Sequence, residues 1–261
     1  MILEEIAEKT RLRVAQAKEA KSLDAVKSEA NFLPADREFP FEQALAKDGI
    51  SFICEVKKAS PSKGLIAEDF PYLTIAHDYE AAGAAAISVL TEPYYFQGSD
   101  RYLREIAQTV NIPVLRKDFT VDAYQIYEAK VLGASAVLLI CSLLDTETLA
   151  EYLRIADSLG LSALVEAHDE AEIGSALRAG ARIIGVNNRN LRDFTVDIHT
   201  GIQLRSMVPD NVLFVAESGI KTARDVEELR RANVNAVLIG ETLMRSPDKK
   251  AALDELRGIR L

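Results

Sequence analysis

Short runs of apolar residues recur along most of the chain, and their spacing predicts the fold. Eight runs occur from Phe52 onward, at 52–56, 85–90, 112–116, 136–140, 162–166, 182–186, 212–216 and 236–240. They are rich in Val, Ile and Leu, as strands buried on both faces are. Segments with helical periodicity lie between the runs. Several of these segments end in a glycine where a helix C-cap is expected: Gly83, Gly133, Gly160 and Gly180.

Eight strand–helix units in about 210 residues are typical of a (β/α)8 TIM barrel. The alternative is an open doubly wound sheet, which usually has five or six strands and a glycine-rich turn after its first strand. In this sequence KKASPSKG follows the first run, and no GxGxxG pattern occurs. We therefore predict a single (β/α)8 barrel domain over residues 1–261.

The residues before the first strand have a different pattern. Residues 2–21 carry apolar positions at roughly helical spacing among many charges, which predicts an amphipathic helix. A looser segment interrupted by Pro34 and Pro40 follows, and 41–47 suits another short helix. We expect residues 1–47 to form an N-terminal helical extension of the same domain that caps one end of the barrel.

Composition excludes several classes of protein. The chain has 31 Lys and Arg against 40 Asp and Glu, a net charge of −9, which argues against a nucleic-acid partner. No apolar run reaches the length of about eighteen residues that a membrane helix needs, and the charged N-terminus does not resemble a secretory signal. Two cysteines exclude a disulfide scaffold. We expect a monomeric cytoplasmic protein without a membrane partner.

Polar residues stand at the C-terminal ends of the predicted strands, which is where the active sites of barrel enzymes form. Side chains of a strand alternate between its two faces, so each of these residues continues a face that begins with buried apolar positions. Burying several charges without a function is costly. We therefore interpret six of them as one site: Glu55, Lys57, Lys117, Glu166, Asn187 and Glu217.

A phosphate site is the second signal. The loops after the seventh and eighth strands begin with Ser218-Gly219 and Gly240-Glu241, and the loop after the first strand contains Ser60. Glycines let backbone N–H groups approach an anion, and many barrels bind phosphate in these two loops. Glu241 is an acid, so its side chain must point away from the anion. We predict a phosphorylated small-molecule substrate.

Together these residues resemble the indole-3-glycerol phosphate synthase family over nearly the whole chain. The motifs that carry the resemblance are EVKKASPSKG (55–64), YYFQGS (94–99), LRKDF (115–119), LVEAHDE (164–170), GVNNRNL (185–191), VAESGI (215–220) and LIGETLM (238–244). The family also has a segment before the first strand. No second barrel follows, so we expect no fused isomerase domain.

The resemblance implies a carboxy-lyase of tryptophan biosynthesis that acts on 1-(2-carboxyphenylamino)-1-deoxyribulose 5-phosphate. Ring closure, loss of carbon dioxide and loss of water give indole-3-glycerol phosphate. The aniline nitrogen supplies the electrons and the iminium formed on closure accepts them, so no cofactor and no metal are expected. The protein must supply acids, a base and anion-binding groups.

The family pattern also implies a role for each matching position. Lys117 is the general acid at the ketone oxygen, Glu166 the base, and Lys57 the partner of the substrate carboxylate, held by Glu55. The pocket-lining and substrate-binding positions are Asn187, Glu217 and Ser218 at the sugar hydroxyls, Ser60, Gly219, Gly240 and the Glu241 backbone at the phosphate, Phe96 and Phe119 at the aromatic ring, and Arg189 for charge balance. A lysine acid needs a lowered pKa, which neighbouring carboxylates oppose.

The remaining candidate groups are expected to have no special role. His77, His168 and His199 do not stand at strand ends and show no metal-ligand spacing, although His168 lies shortly after the fifth strand. Cys54 and Cys141 are expected to be packed thiols, with Cys54 facing the helices.

Two other functions fit the same residues. A sugar-phosphate aldolase would use Lys117 as a Schiff-base nucleophile. A noncatalytic barrel would use the same phosphate site to sense a metabolite.

Overall fold

Eight parallel strands form a closed barrel in the computed structural model, which describes residues 2–190 and 194–259. The strands pair in chain order, and the last pairs with the first. The predicted (β/α)8 barrel is therefore confirmed. Its strands are β1 (Ser51–Val56), β2 (Ala86–Leu90), β3 (Val114–Lys117), β4 (Ala136–Ile140), β5 (Ser162–Ala167), β6 (Ile183–Asn187), β7 (Leu213–Glu217) and β8 (Ala236–Ile239).

Helices surround the barrel and connect its strands. The four predicted C-cap glycines all have positive φ angles, from 71° at Gly160 to 91° at Gly180. A left-handed residue there stops the helix and turns the chain toward the next strand. The helices are α4 (Tyr72–Ala81), α5 (Asp100–Thr109), α6 (Tyr124–Leu132), α7 (Thr146–Ser158), α8 (Glu170–Ala179), α9 (His199–Arg205), α10 (Ala223–Arg231), α11 (Glu241–Arg245) and α12 (Lys249–Arg257), with a 3-10 turn at Cys141–Leu143.

The barrel interior changes from apolar to charged along the strands. Below the C-terminal ends of the strands, the interior is filled by inward side chains that include Ile53, Leu115, Leu164 and Val215, all fully buried. Side chains of a strand alternate, so the next inward position of each strand lies two residues closer to its C-terminal end. These next positions are Glu55, Lys117, Glu166 and Glu217.

The N-terminal extension consists of α1 (Ile2–Ala20), α2 (Leu23–Phe32) and α3 (Pro40–Leu45). The first helix and the short third helix match the prediction, but the segment expected to be loose forms α2. Ser22 caps α2 by accepting a hydrogen bond of 3.2 Å from the Ala25 N–H, and Val26 and Ala30 are its buried residues. Two apolar positions one turn apart are too few to reveal a helix in the sequence pattern.

The extension reaches both ends of the barrel instead of capping one. At the N-terminal ends of the strands, Phe41 and Leu45 of α3 join the apolar interior cluster. At the opposite end, Ile2 and Ile6 of α1 face the barrel mouth, and Arg13 of α1 binds Asp118 after β3 with two contacts of 2.7 and 2.9 Å.

Among the helices of the described ranges, none combines the length and apolar character needed to cross a bilayer.

Candidate active site

A cavity of about 650 Å³ opens at the C-terminal ends of the strands. The N-terminal helix contributes Ile2, Leu3 and Ile6 to its wall, which the sequence did not indicate. All the site residues that the sequence predicted line this cavity: Glu55, Lys57, Ser60, Phe96, Lys117, Phe119, Glu166, Asn187, Arg189, Glu217, Ser218, Gly219, Gly240 and Glu241.

Lys117 is placed between two buried carboxylates at the floor of the cavity. Its Nζ lies 3.4 Å from Glu166 Oε2 and 3.3 Å from Glu217 Oε2. The side chains of Glu166 and Glu217 are only 4% and 2% exposed. Glu217 Oε1 has no hydrogen-bond partner among the described residues. One ammonium therefore compensates two desolvated acids, and the unpartnered oxygen leaves an acceptor at the floor of the site.

This arrangement separates the pKa values of the three groups. Burial alone would lower the Lys117 pKa, but Glu217, Glu166 and Glu55 outweigh burial and raise it, contrary to the lowered pKa expected of a lysine acid. Burial favours the neutral form of Glu166, but Lys117 and His168 lower its pKa to about 2. Burial raises the pKa of Glu217 to about 7 against the effect of Lys117. Glu166 is therefore ionised at neutral pH, while Glu217 is poised to exchange a proton.

Lys57 forms a second ion pair, with Glu55, at the wall of the cavity. Both side chains project from the end of β1, two residues apart, so they share a face as predicted. The Glu55 residue is buried, whereas 17% of the Lys57 side chain is exposed toward the cavity. The pair thus holds one cationic head at the wall of the site.

Two inward-facing glycines make room for these carboxylates, a role that the sequence motifs do not indicate for either of them. A Cβ at Gly240 would overlap Glu55 Oε1 and lie 2.8 Å from Lys57 Nζ. A Cβ at Gly185 would overlap Glu217 Oε1. The alternation of side chains along a strand could have indicated this role. By that alternation, Gly185 takes an inward position of β6, and Gly240 takes the inward position just past the end of β8.

The ends of β6 and β7 supply polar groups beside Glu166. Asn187 Nδ2 lies 3.4 Å from Glu166 Oε1, and Asn187 Oδ1 accepts a hydrogen bond of 3.0 Å from the Arg189 N–H. Ser218 and Gly219 both have left-handed backbone, with φ angles of 66° and 83°. Such a conformation is costly for serine and turns the chain sharply where it passes the cavity.

The predicted phosphate side combines backbone and basic side chains. Ser60 belongs to a small hairpin of Ala59–Ser60 with Gly64–Leu65, and Gly240 immediately precedes α11. The Glu241 carboxylate lies 3.1 Å from Arg245 and 3.7 Å from Lys63. The acid that had to be directed away from a phosphate is therefore held by two cations, which line the cavity as Lys221 does.

Two aromatic rings form one wall of the cavity. The centroids of Phe96 and Phe119 are 6.0 Å apart, with an interplanar angle of 40°. Phe96 is held by the buried carboxylate of Glu92, which accepts hydrogen bonds from the N–H groups of Tyr94, Tyr95 and Phe96 at 2.9, 2.7 and 3.0 Å. A flat apolar ring would pack against this wall.

The expectation that His168 is away from a strand end is wrong. β5 extends to Ala167, so His168 follows it directly, and His168 Nε2 lies 3.3 Å from Glu166 Oε1. The two cysteines, in contrast, are buried and unpaired as expected, and burial raises both thiol pKa values to about 12. The described ranges contain no cluster of three metal-ligating side chains. Leu191, the last residue of the GVNNRNL motif, lies outside the described residues.

Solved structures of other proteins share this fold. 3-Hexulose-6-phosphate synthase from Salmonella typhimurium superimposes with a TM-score of 0.66 at 14% identity, covering 80% of this chain and 98% of that one. Thiamine phosphate pyrophosphorylase from Pyrococcus furiosus superimposes with a TM-score of 0.59 at 17% identity, covering 80% and 94%. At such identities the likeness concerns the barrel alone.

Other relatives are much more similar to this chain in amino-acid sequence. The indole-3-glycerol phosphate synthase of Ruminiclostridium cellulolyticum is 62% identical over 258 residues, covering 99% of both chains. That of Endomicrobium trichonymphae is 57% identical, covering 98% of this chain and 100% of that one. The family model for indole-3-glycerol phosphate synthase matches residues 3–256. Residues of the sequence motifs line one cavity, and the family model matches nearly the full length of the chain. The chain therefore belongs to the indole-3-glycerol phosphate synthase family.

Proposed function

We propose that the cavity at the barrel mouth binds 1-(2-carboxyphenylamino)-1-deoxyribulose 5-phosphate and converts it to indole-3-glycerol phosphate. The observation that carries the proposal is the Lys117 ammonium, which lies within 3.4 Å of two buried carboxylates in a cavity that Lys57 also lines. The reaction needs two proton donors, one proton acceptor and anion-binding groups, and these residues supply each of them.

Ring closure uses Lys117. The ring carbon that bears the carboxylate bonds to the ketone carbon, and the ketone oxygen takes a proton from the Lys117 ammonium. Because the surrounding carboxylates raise the Lys117 pKa, the lysine is fully protonated when substrate arrives. The alkoxide that develops on closure is itself a strong base, so the proton transfer is driven by the bond that forms.

Decarboxylation then restores the aromatic ring. The electrons of the bond to the carboxylate flow into the iminium, and carbon dioxide leaves as a neutral molecule. Lys57 pairs with the substrate carboxylate before this step, and the buried Glu55 beside it prevents the ammonium from swinging away. Phe96 and Phe119 pack against the aromatic ring of the substrate and hold it in position during ring closure.

Dehydration completes the sequence. Lys57 gives a proton to the leaving hydroxyl, and the ionised Glu166 removes the proton from the adjacent carbon. Two protons are delivered and one is removed, so each turnover consumes one proton. This balance matches the conversion of a carboxylate anion into neutral carbon dioxide.

The remaining cavity residues bind and orient the substrate. Ser60 and the backbone of Gly219, Gly240 and Glu241 hold the phosphate, and Lys63 lies close by. Arg189 balances charge near the mouth, while hydrogen bonds to the sugar hydroxyls come from Asn187, Glu217 and Ser218. We further propose that the extension and the barrel act as one domain, since α1 lines the cavity, and that the enzyme is monomeric and cytoplasmic.

The raised pKa of Lys117 favours this reaction over an aldolase. A Schiff-base nucleophile must be a neutral amine, and the carboxylates around Lys117 keep it protonated.

The direct test incubates the purified chain with the proposed substrate and follows the fluorescence of the indole product. We expect product without added metal or cofactor, and no increase with a Lys117→Arg variant. Borohydride treatment in the presence of a ketose phosphate is the second arm. A covalent adduct at Lys117 without indole formation would contradict the proposal in favour of an aldolase, and binding without either product would favour a sensor.

A further inference from the structure

We propose that His168 is a positioning residue that keeps the Glu166 carboxylate ionised and oriented while Lys117 passes through its neutral form. The inference rests on the proposed function, in which Glu166 is the base of the last step. It assigns a role to a side chain that does not line the substrate cavity.

Three elements fix the imidazole in place. His168 follows β5, and its Nδ1 lies 3.0 Å from Glu172 Oε2 on α8. The same Glu172 oxygen accepts the His168 N–H at 2.7 Å, while Glu172 Oε1 accepts a hydrogen bond of 2.6 Å from Ser142 Oγ on the 3-10 turn. With Nδ1 engaged in this way, the ring directs Nε2 toward Glu166 Oε1 at 3.3 Å.

Each oxygen of Glu166 therefore faces its own cation. Lys117 lies 3.4 Å from Oε2, and His168 lies 3.3 Å from Oε1. Lys117 loses its charge when it protonates the ketone oxygen. A buried carboxylate left without a cation has a raised pKa and takes up a proton, which would remove the base before it is needed. A second cation on the other oxygen prevents this loss.

His168 lies outside the cavity in which Lys117 and Lys57 exchange protons with the substrate. It lines a second cavity of about 500 Å³ behind Glu166, and this cavity shares Leu3, Asn187 and Arg189 with the substrate cavity. Lys117 and Lys57, which exchange protons with the substrate in the proposed reaction, line the substrate cavity, whereas His168 does not. His168 therefore keeps its proton through the cycle.

The groups around the imidazole favour its charged form. Burial alone would lower the His168 pKa, but pairing with Glu166 and Glu172 raises it to about 10. The charged or titratable groups that face this cluster from the packed elements are Glu172 and Asp169 at the start of α8, Cys141 on the 3-10 turn, Arg189 after β6, Asp197 before α9, and Lys117 and Glu217 beyond Glu166.

The test compares His168→Gln with His77→Gln. Glutamine keeps an N–H donor near the Nε2 position but removes the charge, and His77 is exposed on α4, away from the cavity. We measure kcat and KM against pH from the fluorescence of the indole product. Glu172→Gln, which weakens the hold on the imidazole, provides a second variant should His168→Gln fail to fold.

His168 lowers the Glu166 pKa, so removing its charge raises that pKa and protonates the base at a higher pH. We expect His168→Gln to move the acidic limb of the kcat profile up by about one pH unit, as loss of a neighbouring charge does. Glu172→Gln should shift the limb in the same direction by less. KM should stay within about twofold, because His168 does not contact the substrate cavity, and His77→Gln should match the parent.

An unchanged acidic limb in both His168→Gln and Glu172→Gln, even with lower rates, would overturn the positioning role and leave a structural one. A parent chain that makes no indole product would overturn the proposed function instead. Titration of the Glu166 carboxyl by carbon-13 NMR then still decides the positioning role, since a higher Glu166 pKa in His168→Gln supports it and an equal pKa refutes it.

Discussion

Replacing Lys117 by methionine and by arginine separates its charge from its acidity. Methionine has a similar length but no charge, so it leaves Glu166 and Glu217 facing one another without the ammonium that now lies 3.4 and 3.3 Å from them. Arginine restores a cation, but a guanidinium does not release its proton in proteins. The Lys117 side chain ends in the cavity of about 650 Å³, which gives the larger head group space.

The magnitudes follow from burial and from the proton that is lost. Removing one partner of a buried ion pair costs about 3–5 kcal/mol. The penalty in Lys117→Met should be smaller at low pH, because Glu217, whose pKa is about 7, can take a proton and become neutral. Losing the general acid should lower kcat by about 10²–10⁴. Lys117→Arg should show the same loss of turnover with little loss of stability.

Two measurements check this reasoning. Indole fluorescence under saturating substrate gives kcat, and urea denaturation at pH 5 and pH 8 gives the free energy of unfolding. Substrate binding, measured by calorimetry, should persist in both variants, since Lys57 and the phosphate loops are untouched. A kcat near that of the parent in Lys117→Arg would refute the acid role. An equal free energy of unfolding of Lys117→Met and the parent at pH 8 would refute the charge argument.

Three further changes test other parts of the site. Gly185→Ala would place a Cβ against Glu217 Oε1 and 3.0 Å from Leu164 Cδ1, so urea denaturation should show a loss of about 1–3 kcal/mol from overpacking, and an unchanged midpoint would contradict the crowding. Glu92→Gln replaces an acceptor of three N–H groups, so stability should fall by about 1–3 kcal/mol and KM should rise as Phe96 loses its support; normal values of both would refute the role of that carboxylate. The Glu217 pKa is higher in the folded chain than its ordinary value of 4.5, so its contribution to stability is full below that value and is lost as pH rises through about 7. Unfolding free energies at several pH values should therefore decline less steeply in Glu217→Gln than in the parent, and parallel curves would contradict the assignment.

The local pattern of apolar residues predicts most of the barrel architecture. The eight apolar runs became the eight barrel strands because a strand buried on both faces needs continuous apolar residues. The helix at Leu23–Phe32 was missed, because it buries only Val26 and Ala30 and draws its stability from packing against α6. The contact of Arg13 with Asp118 joins positions 105 residues apart, and no local pattern contains such information.

The site was predicted to a similar extent. The period of two in a strand placed Glu55, Lys57, Lys117, Glu166 and Glu217 on inward faces, and the structure brings them to one cavity. The sequence also contains His168, but the predicted fifth strand ends one residue before the end of β5 in the structure, so the pattern indicates no role for this histidine. Local pattern predicts that a strand exists more readily than where it ends, because tertiary packing also decides its last residue.

Sequence alone determined which residue types reach the barrel mouth, because alternation along each strand is a property of the covalent chain. Only the tertiary structure decided how those groups act on one another. Electrostatic energies depend on distance and burial across strands that are far apart in sequence. The raised pKa of Lys117, the different states of Glu166 and Glu217, and the second cation on Glu166 all arise from contacts of 3.3 to 3.4 Å that exist only once the barrel closes.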